Sequence, residues 1–335
     1  MSATDLGLIA IIVIALAFDY TNGFHDAANA IATAVSTRAL TPRVALVLAA
    51  VANLGGALVS TEVAKTVGAG ILDPKELAST SGLVVVFAAL LGAIAWNLVT
   101  WYFGLPSSSS HALIGGLVGA GLAAGDSVQW EGIYHKVVVP MVVSPVMGFV
   151  FAAVLMLGIL WLVRHMAPRR VHRNFRFLQI GSSAAMAYGH GLQDAQKTMG
   201  IIALALYVSG HLDADAGIPL WVIVSAATAI SLGTMSGGMR IMRTLGRRVI
   251  KMDPAAGFAA QTVASSVLFA TAHFGLPVST THVITSSVMG VGATRRLSAV
   301  RWGVAGNIAF AWVLTIPAAA LMAAVFYVIA HAVIG

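Results

Sequence analysis

The chain has no cysteine in its 335 residues, which excludes disulfides, cysteine-ligated zinc and thiol catalysis. It is nearly as poor in charge. Asp, Glu, Lys and Arg make up 9% of it, against roughly 25% in an average soluble protein. A soluble domain of this size could not cover its surface with so few charges. A cytosolic enzyme, a disordered protein and a nucleic-acid binder are therefore excluded. What is abundant is apolar: 59% of residues are hydrophobic and the mean hydropathy is +0.90. Apolar stretches of about 20 residues or more predict an all-α, polytopic membrane protein. The net charge of +7 is then expected from Lys- and Arg-rich loops at the cytoplasmic face of the cell membrane, not from a polyanionic partner.

Apolar segments run over 5–36, 43–66, 81–103, 111–124, 136–163, 177–208, 218–242, 256–274, 282–293 and 302–333. The first carries Asp5 and lacks both a basic leader and a cleavage site, so it is expected to be a retained membrane helix rather than an export signal. Segments 5–36 and 177–208 are longer than a straight span needs. Segments 111–124 and 282–293 are too short to span comfortably, and each follows a Gly-Leu-Pro break.

The sequence repeats itself. Gly23-Phe24-His25-Asp26-Ala27-Ala28-Asn29-Ala30 matches Gly191-Leu192-Gln193-Asp194-Ala195-Gln196-Lys197-Thr198. Lys65-Thr66-Val67-Gly68 matches Arg243-Thr244-Leu245-Gly246, and Phe103-Gly104-Leu105-Pro106-Ser107-Ser108-Ser109-Ser110-His111 matches Phe274-Gly275-Leu276-Pro277-Val278-Ser279-Thr280-Thr281-His282. Three matches in one order at nearly one offset mark a duplicated unit. The expected organisation is a first membrane repeat over 1–165, a short basic linker over 166–176 and a second repeat over 177–335.

Loop charges predict how each half enters the bilayer. Arg38 and Arg43, then Arg164, Arg169, Arg170, Arg173 and Arg176, alternate along the chain with Asp73, Lys75 and Glu76, with Asp126 and Glu131, and with Asp213 and Asp215. Arg240, Arg243, Arg247, Arg248 and Lys251 follow, and then Arg295, Arg296 and Arg301. If the pairs 81–103/111–124 and 256–274/282–293 are re-entrant hairpins, each half crosses an odd number of times and the second half enters inverted. With both termini outside, the Arg-rich loops then fall in the cytoplasm. Full crossing by both hairpins would put the acidic loop at 126–131 on the cytoplasmic side. The expectation is an inverted repeat, each half with a broken helix and a re-entrant hairpin, and a site near the midplane.

Asp26 and Asp194 are charges within apolar segments, which cost about 2.5–3.5 kcal/mol each on insertion scales and mark pathways or ion pairs. Asp19, Asn22, His25 and Asn29 surround the first; His190, Gln193, Gln196 and Lys197 surround the second. Gly23, Gly189 and Gly191 are positions where a helix could unwind and free carbonyls for a cation. The plainer alternative is that Asp194 and Lys197 form an ion pair holding the bundle together.

In the two Gly-Leu-Pro tips, proline ends one helix and Ser or Thr caps the next. Ser108, Ser109, Ser110, Ser279, Thr280 and Thr281 would then surround free N–H groups at helix N-termini, an anion site without a buried cation. The alternative is that each merely caps its own turn. Helix tips attract an anion and carboxylates repel one, so anion and cation are expected to bind together. An ionised carboxylate is acceptor-only, which favours protonated phosphate over sulfate. His111 and His282 follow the tips, as proton shuttles or, more simply, hydrogen-bonded within them. Glu62 and Lys65 read as a local pair or an outer gate, and Trp96, Trp101, Trp130, Trp221 and Trp302 as interface anchors.

The paired motifs around Asp26 and Asp194, the two Gly-Leu-Pro tips and Gly257-Phe258-Ala259-Ala260-Gln261 resemble the inorganic phosphate transporter (PiT) family over nearly the whole chain, and its bacterial low-affinity members in particular. The resemblance implies a secondary transporter, not an enzyme, importing phosphate by symport with sodium, protons or a divalent metal carried with the phosphate, and no other cofactor. It implies that the tips line the substrate site and that Asp26, Asn29, Asp194, Asn22, Gln193 and His25 serve cation or proton coupling. For sodium or a metal–phosphate complex, Asp26 and Asp194 are the candidate ligands. Gln196-Lys197 replaces Ala28-Asn29 of the first copy; both are expected to bind substrate with the tips, and Lys197 gives the second copy a fixed positive charge. The implied partners are phosphate, the cation and lipid, and a homo-oligomer is compatible. A sulfate permease of the same fold and a passive anion channel are the alternatives. An intramembrane hydrolase fits less well, because a hydrolase needs one nucleophile and the Ser/His tips occur twice.

Overall fold

A computed structural model describes residues 3–79, 82–213 and 216–334; Asp215, one of the expected outer-loop acids, lies outside them. Among the described residues the chain is helical, with no strand and one isolated bridge between Leu72 and Val128. The helices are α1 (Ala3–Ser36), α2 (Pro42–Ala57), α3 (Glu62–Ala69), α4 (Pro74–Ser79), α5 (Gly82–Phe103), α6 (Ser109–Ala124), α7 (Trp130–Ile133), α8 (Val139–Val163), α9 (Pro168–Val208), α10 (Leu220–Ser236), α11 (Met239–Arg243), α12 (Pro254–His273), α13 (Thr280–Ala293) and α14 (Trp302–Ile334). Single π turns, Tyr134–Val138 and Thr244–Arg248, lead into α8 and follow α11. Five helices are long and apolar enough to cross a membrane, or up to seven spans if each bent pair counts as one. The protein is thus a multi-pass membrane protein.

The duplicated motifs carry a duplicated order of elements. α1 corresponds to α9, the bent pair α2/α3 to α10/α11, the hairpin α5/α6 to α12/α13, and α7–α8 to α14. The halves interlock: α1 packs on α10 and α9 on α2, while α6 packs on α14 and α13 on α8. Two apolar cores result, one including Phe18, Leu113 and Leu204, the other Ile31, Met186 and Val283. Between Phe18 and Ala28 on α1 lies a buried polar layer containing Asp19, Asn22, His25 and Asp26.

Four expectations change. Gly23, Gly189 and Gly191 unwind nothing, because α1 and α9 run through them unbroken. Their hydrogen atoms instead allow close helix crossing. A methyl at Gly23 would run into the Ile230 carbonyl of α10, and one at Gly191 into the Asn53 carbonyl of α2. The broken helices are the second segments, bent by 75° between α2 and α3 and by 58° between α10 and α11. Finally, α9 starts at Pro168, so Arg169, Arg170, Arg173 and Arg176 occupy its first turns rather than a loop. Of the tryptophans, Trp96 is no interface anchor: it is buried and donates to Thr315 at 3.1 Å, whereas Trp130, Trp221 and Trp302 are exposed.

Candidate substrate and ion site

Each hairpin turns at a glycine with positive φ, Gly104 (66°) and Gly275 (65°), a conformation that costs other residues strain. Proline follows, and then a serine N-cap. Ser108 Oγ accepts from the His111 N–H and Ser279 Oγ from the His282 N–H, both at 3.2 Å. These two serines therefore cap their own helices. The next two residues of each tip, Ser109 and Ser110 on α6 and Thr280 and Thr281 on α13, reach the two aspartates.

The hydroxyls cross over in pairs. Ser109 donates to Asp26 at 3.4 Å and Thr281 at 3.3 Å. Ser110 donates to Asp194 at 3.3 Å and Thr280 at 3.1 Å. Each carboxylate thus takes one hydroxyl from each hairpin, and all six side chains are buried. Asn29 donates to Thr281 at 2.8 Å and to Thr280 at 3.3 Å. Lys197, at the matching position of α9, donates to Asp194, to Ser110 and, at 3.2 Å, to the Val278 carbonyl. The expected Asp194–Lys197 pair is therefore present, inside the site.

Imidazoles complete the charge arrangement. His25 Nδ1 meets Asp26 at 2.7 Å, and its Nε2 meets Thr100 at 3.1 Å. His190 Nε2 stands 3.2 Å from Asp194, and its Nδ1 meets Asn53 at 3.0 Å. Asp26, His190 and Asp194 each offer one ligand atom, all within 4.8 Å of one another, a donor set able to hold a metal ion.

Other expected site residues hold the scaffold. Gln193 donates to Thr271 at 2.9 Å and to the Leu276 carbonyl at 3.3 Å, so it ties α9 to the second hairpin as His25 ties α1 to the first. Gln196 faces away from the tips: its Oε1 accepts from the Val63 and Ala64 N–H groups and so caps α3. Asn22 is buried without a hydrogen-bond partner. His111 and His282 do not hydrogen-bond within the tips through their rings. The rings meet edge to face at 4.8 Å, and His282 stacks on Trp312 at 4.0 Å, with no partner on any ring nitrogen. Among the described residues neither His111 nor His282 bonds a serine through its ring, so neither serves as the base that the hydrolase reading assigns to it. Glu62 and Lys65 form an exposed pair at 2.7 Å. The motifs alone make His190 only a neighbour of Asp194 and pass over Asn53, Thr100 and Thr271; an isolated polar side chain in an apolar helix is the signal that points to them.

Comparison with known proteins identifies the family. Residues 22–323 match the phosphate transporter family. A protein of Rhizobium meliloti named a probable low-affinity inorganic phosphate transporter is 51% identical, covering 96% of this chain and 95% of its own. One of the same name from Bacillus subtilis is 45% identical, covering 96% of each. A solved structure titled "The sodium-dependent phosphate transporter" superposes with a TM-score of 0.89 at 25% identity, covering 98% of this chain and all of its own. These matches run the length of the interlocked halves and both tips, and the chain belongs to the phosphate transporter family, whose members are transporters and not enzymes.

Proposed function

We propose that the protein imports inorganic phosphate by symport with a cation, at the place where the two hairpin tips meet Asp26 and Asp194. One observation carries this reading: each carboxylate accepts a hydroxyl from each hairpin. Helix geometry leaves the first N–H groups of α6 and α13 without carbonyl partners, so N–H groups and four hydroxyls converge on one buried point. Phosphate would take those donors. The two carboxylates then lose hydrogen bonds and face a new negative charge. Lys197 neutralises one of them, and a cation beside Asp26, His190 and Asp194 offsets the rest. Phosphate and cation binding are coupled for that reason.

The second repeat is read as inverted, with both termini outside, which brings the tips in from opposite faces. Interlocking of the halves through α1/α10 and α9/α2 supports that reading. The neighbour's title names sodium dependence, so Na+ is the first coupling ion to test and H+ the second. Uptake of radiolabelled phosphate into proteoliposomes, with sodium and proton gradients imposed separately and sulfate as competitor, is the direct test. Uptake should follow one gradient, resist sulfate and vanish in Asp26→Asn. Uptake indifferent to both gradients would mean a passive channel.

A further inference from the structure

α1 carries a second acidic position that the phosphate site does not use. Asp19 is 0% exposed, and neither carboxylate oxygen has a hydrogen-bond partner among the described residues. It lies seven residues before Asp26, about 10 Å along the helix at 1.5 Å per residue. The Thr198 hydroxyl of α9 lies close to the carboxylate, is itself 0% exposed and is likewise without a hydrogen-bond partner among the described residues. Asn22 stands one turn on along the same face of α1, with both amide atoms buried and unpartnered. Asn97 on α5 is in the same condition. Gly7 beside Leu83 and His25 beside Thr100 set the register of α1 on α5, which puts Asn97 level with Asn22.

Among the described residues no positive group is free to pair with Asp19. Lys197 is close, but its three donors go to Asp194, Ser110 and Val278. His190 is held by Asp194 and Asn53, and His25 by Asp26 and Thr100. α5 and α10 bring no Asp, Glu, Lys, Arg or His. His282 of α13 is turned to His111 and Trp312, and His273 of α12 is exposed. The arginines of α11 and the π turn after it meet the far end of α1 and α5, where Arg240 bonds the Tyr102 carbonyl and Gly246 accepts from Ser36; Arg43 of α2 is exposed. An isolated carboxylate charge in such a place is strongly unfavourable.

We infer that Asp19, with the Thr198 hydroxyl and the Asn22 amide, is a separate site that takes up one monovalent cation, a proton or an alkali ion, in addition to the Asp26–Asp194 site. The donor set is oxygen throughout, as a hard monocation requires. Its part in coupling rests on the symport reading; its occupancy does not.

The test begins without phosphate. Purified protein is melted over a NaCl titration balanced with choline chloride at fixed pH, and over a pH series in choline alone. An alkali-ion site gives a melting temperature that follows Na+; a proton site gives one that follows pH in choline. Asp19→Asn should shift the half-saturating concentration of that ion about tenfold or more, or remove the response, a factor worth about 1.4 kcal/mol. Asp26→Asn removes the charge at the other cation position, so the response that remains in that background should be lost when Asp19→Asn is added. Because Asn keeps the shape and removes the charge, Asp19→Asn should melt no lower than the parent in choline at high pH, whereas a merely structural carboxylate would give a lower melting point under every condition. An unchanged response to both ions in Asp19→Asn overturns the proposal. Uptake that ignores every cation gradient would remove the symport reading and leave the binding result standing.

Discussion

Asp26 and Asp194 occupy equivalent turns of α1 and α9, and each is bonded by one hydroxyl from each hairpin. Around that shared frame the two sides differ in charge. Asp194 has an ammonium in contact, from Lys197 one turn on, and an imidazole at 3.2 Å. Asp26 has an imidazole at 2.7 Å, and the residue matching Lys197 is Asn29, a neutral amide that serves the tip hydroxyls instead. The matched positions thus share one hydrogen-bonding geometry, while Lys197 in place of Asn29 puts a positive charge on one side only. On the proposed symport reading, the Asp26 side is the one left to draw charge from solution.

The sharpest way to break this comparison is to exchange the two sides' charges. Lys197→Met leaves the Asp194 carboxylate buried without its ammonium, a loss expected to cost about 3–5 kcal/mol and to abolish uptake. The double variant Lys197→Met/Asp194→Asn should regain most of the melting temperature without regaining transport. Asn29→Leu, at the matching position, removes two neutral hydrogen bonds and should cost about 1–3 kcal/mol. Thermal melting in detergent checks all three. Equal losses at Lys197 and Asn29 would show that the two sides are alike in charge after all.

A smaller effect is expected at the tips. Ser109→Ala and Thr280→Ala each remove a hydroxyl from the cradle, from opposite hairpins and equivalent positions. Each should raise the KM for phosphate roughly three- to twelvefold, for about 0.7–1.5 kcal/mol of lost hydrogen bonding. Ser108→Ala removes a cap instead, so it should lower the melting temperature, at about 1 kcal/mol, more than it changes KM. A KM effect at Ser108 equal to that at Ser109 would remove the distinction between capping and reaching residues.

Much of this is legible in the order of residues along the chain. Repeats at nearly constant offset mark two like halves, and the Asp motifs and Gly-Leu-Pro tips name the residues that meet. What is not legible there depends on partners far away in the chain. A glycine that unwinds a helix and a glycine that admits a neighbour's backbone look the same in sequence; only the Ile230 and Asn53 carbonyls opposite Gly23 and Gly191 decide between them. Gln196 sits beside Lys197 in the motif, yet the helical turn points it at α3, where two bare N–H groups await an acceptor. Trp96 reads as an interface anchor because its segment is apolar on all sides, and composition does not say which side meets protein.

A last contrast sets Gly23 and Gly191 against Gly189, where the expected effect is smallest. Between helices in lipid, association relies on close packing rather than on expulsion of water. At Gly23 and Gly191 the atom a new methyl would meet is a backbone carbonyl, which cannot swing away as a side chain could. Gly23→Ala and Gly191→Ala should each cost about 1–3 kcal/mol through helix separation. Gly189 is different. Its methyl would meet the Phe269 ring at 3.1 Å and the Leu268 side chain at 3.3 Å, and both can give by a few tenths of an ångström. Gly189→Ala also gains helix propensity of about 1 kcal/mol, so its melting temperature should stay near the parent's. If Gly189→Ala were as damaging as Gly191→Ala, the Phe269 ring and the Leu268 side chain would be as unyielding as a backbone carbonyl, and the distinction between the two kinds of crossing would fall.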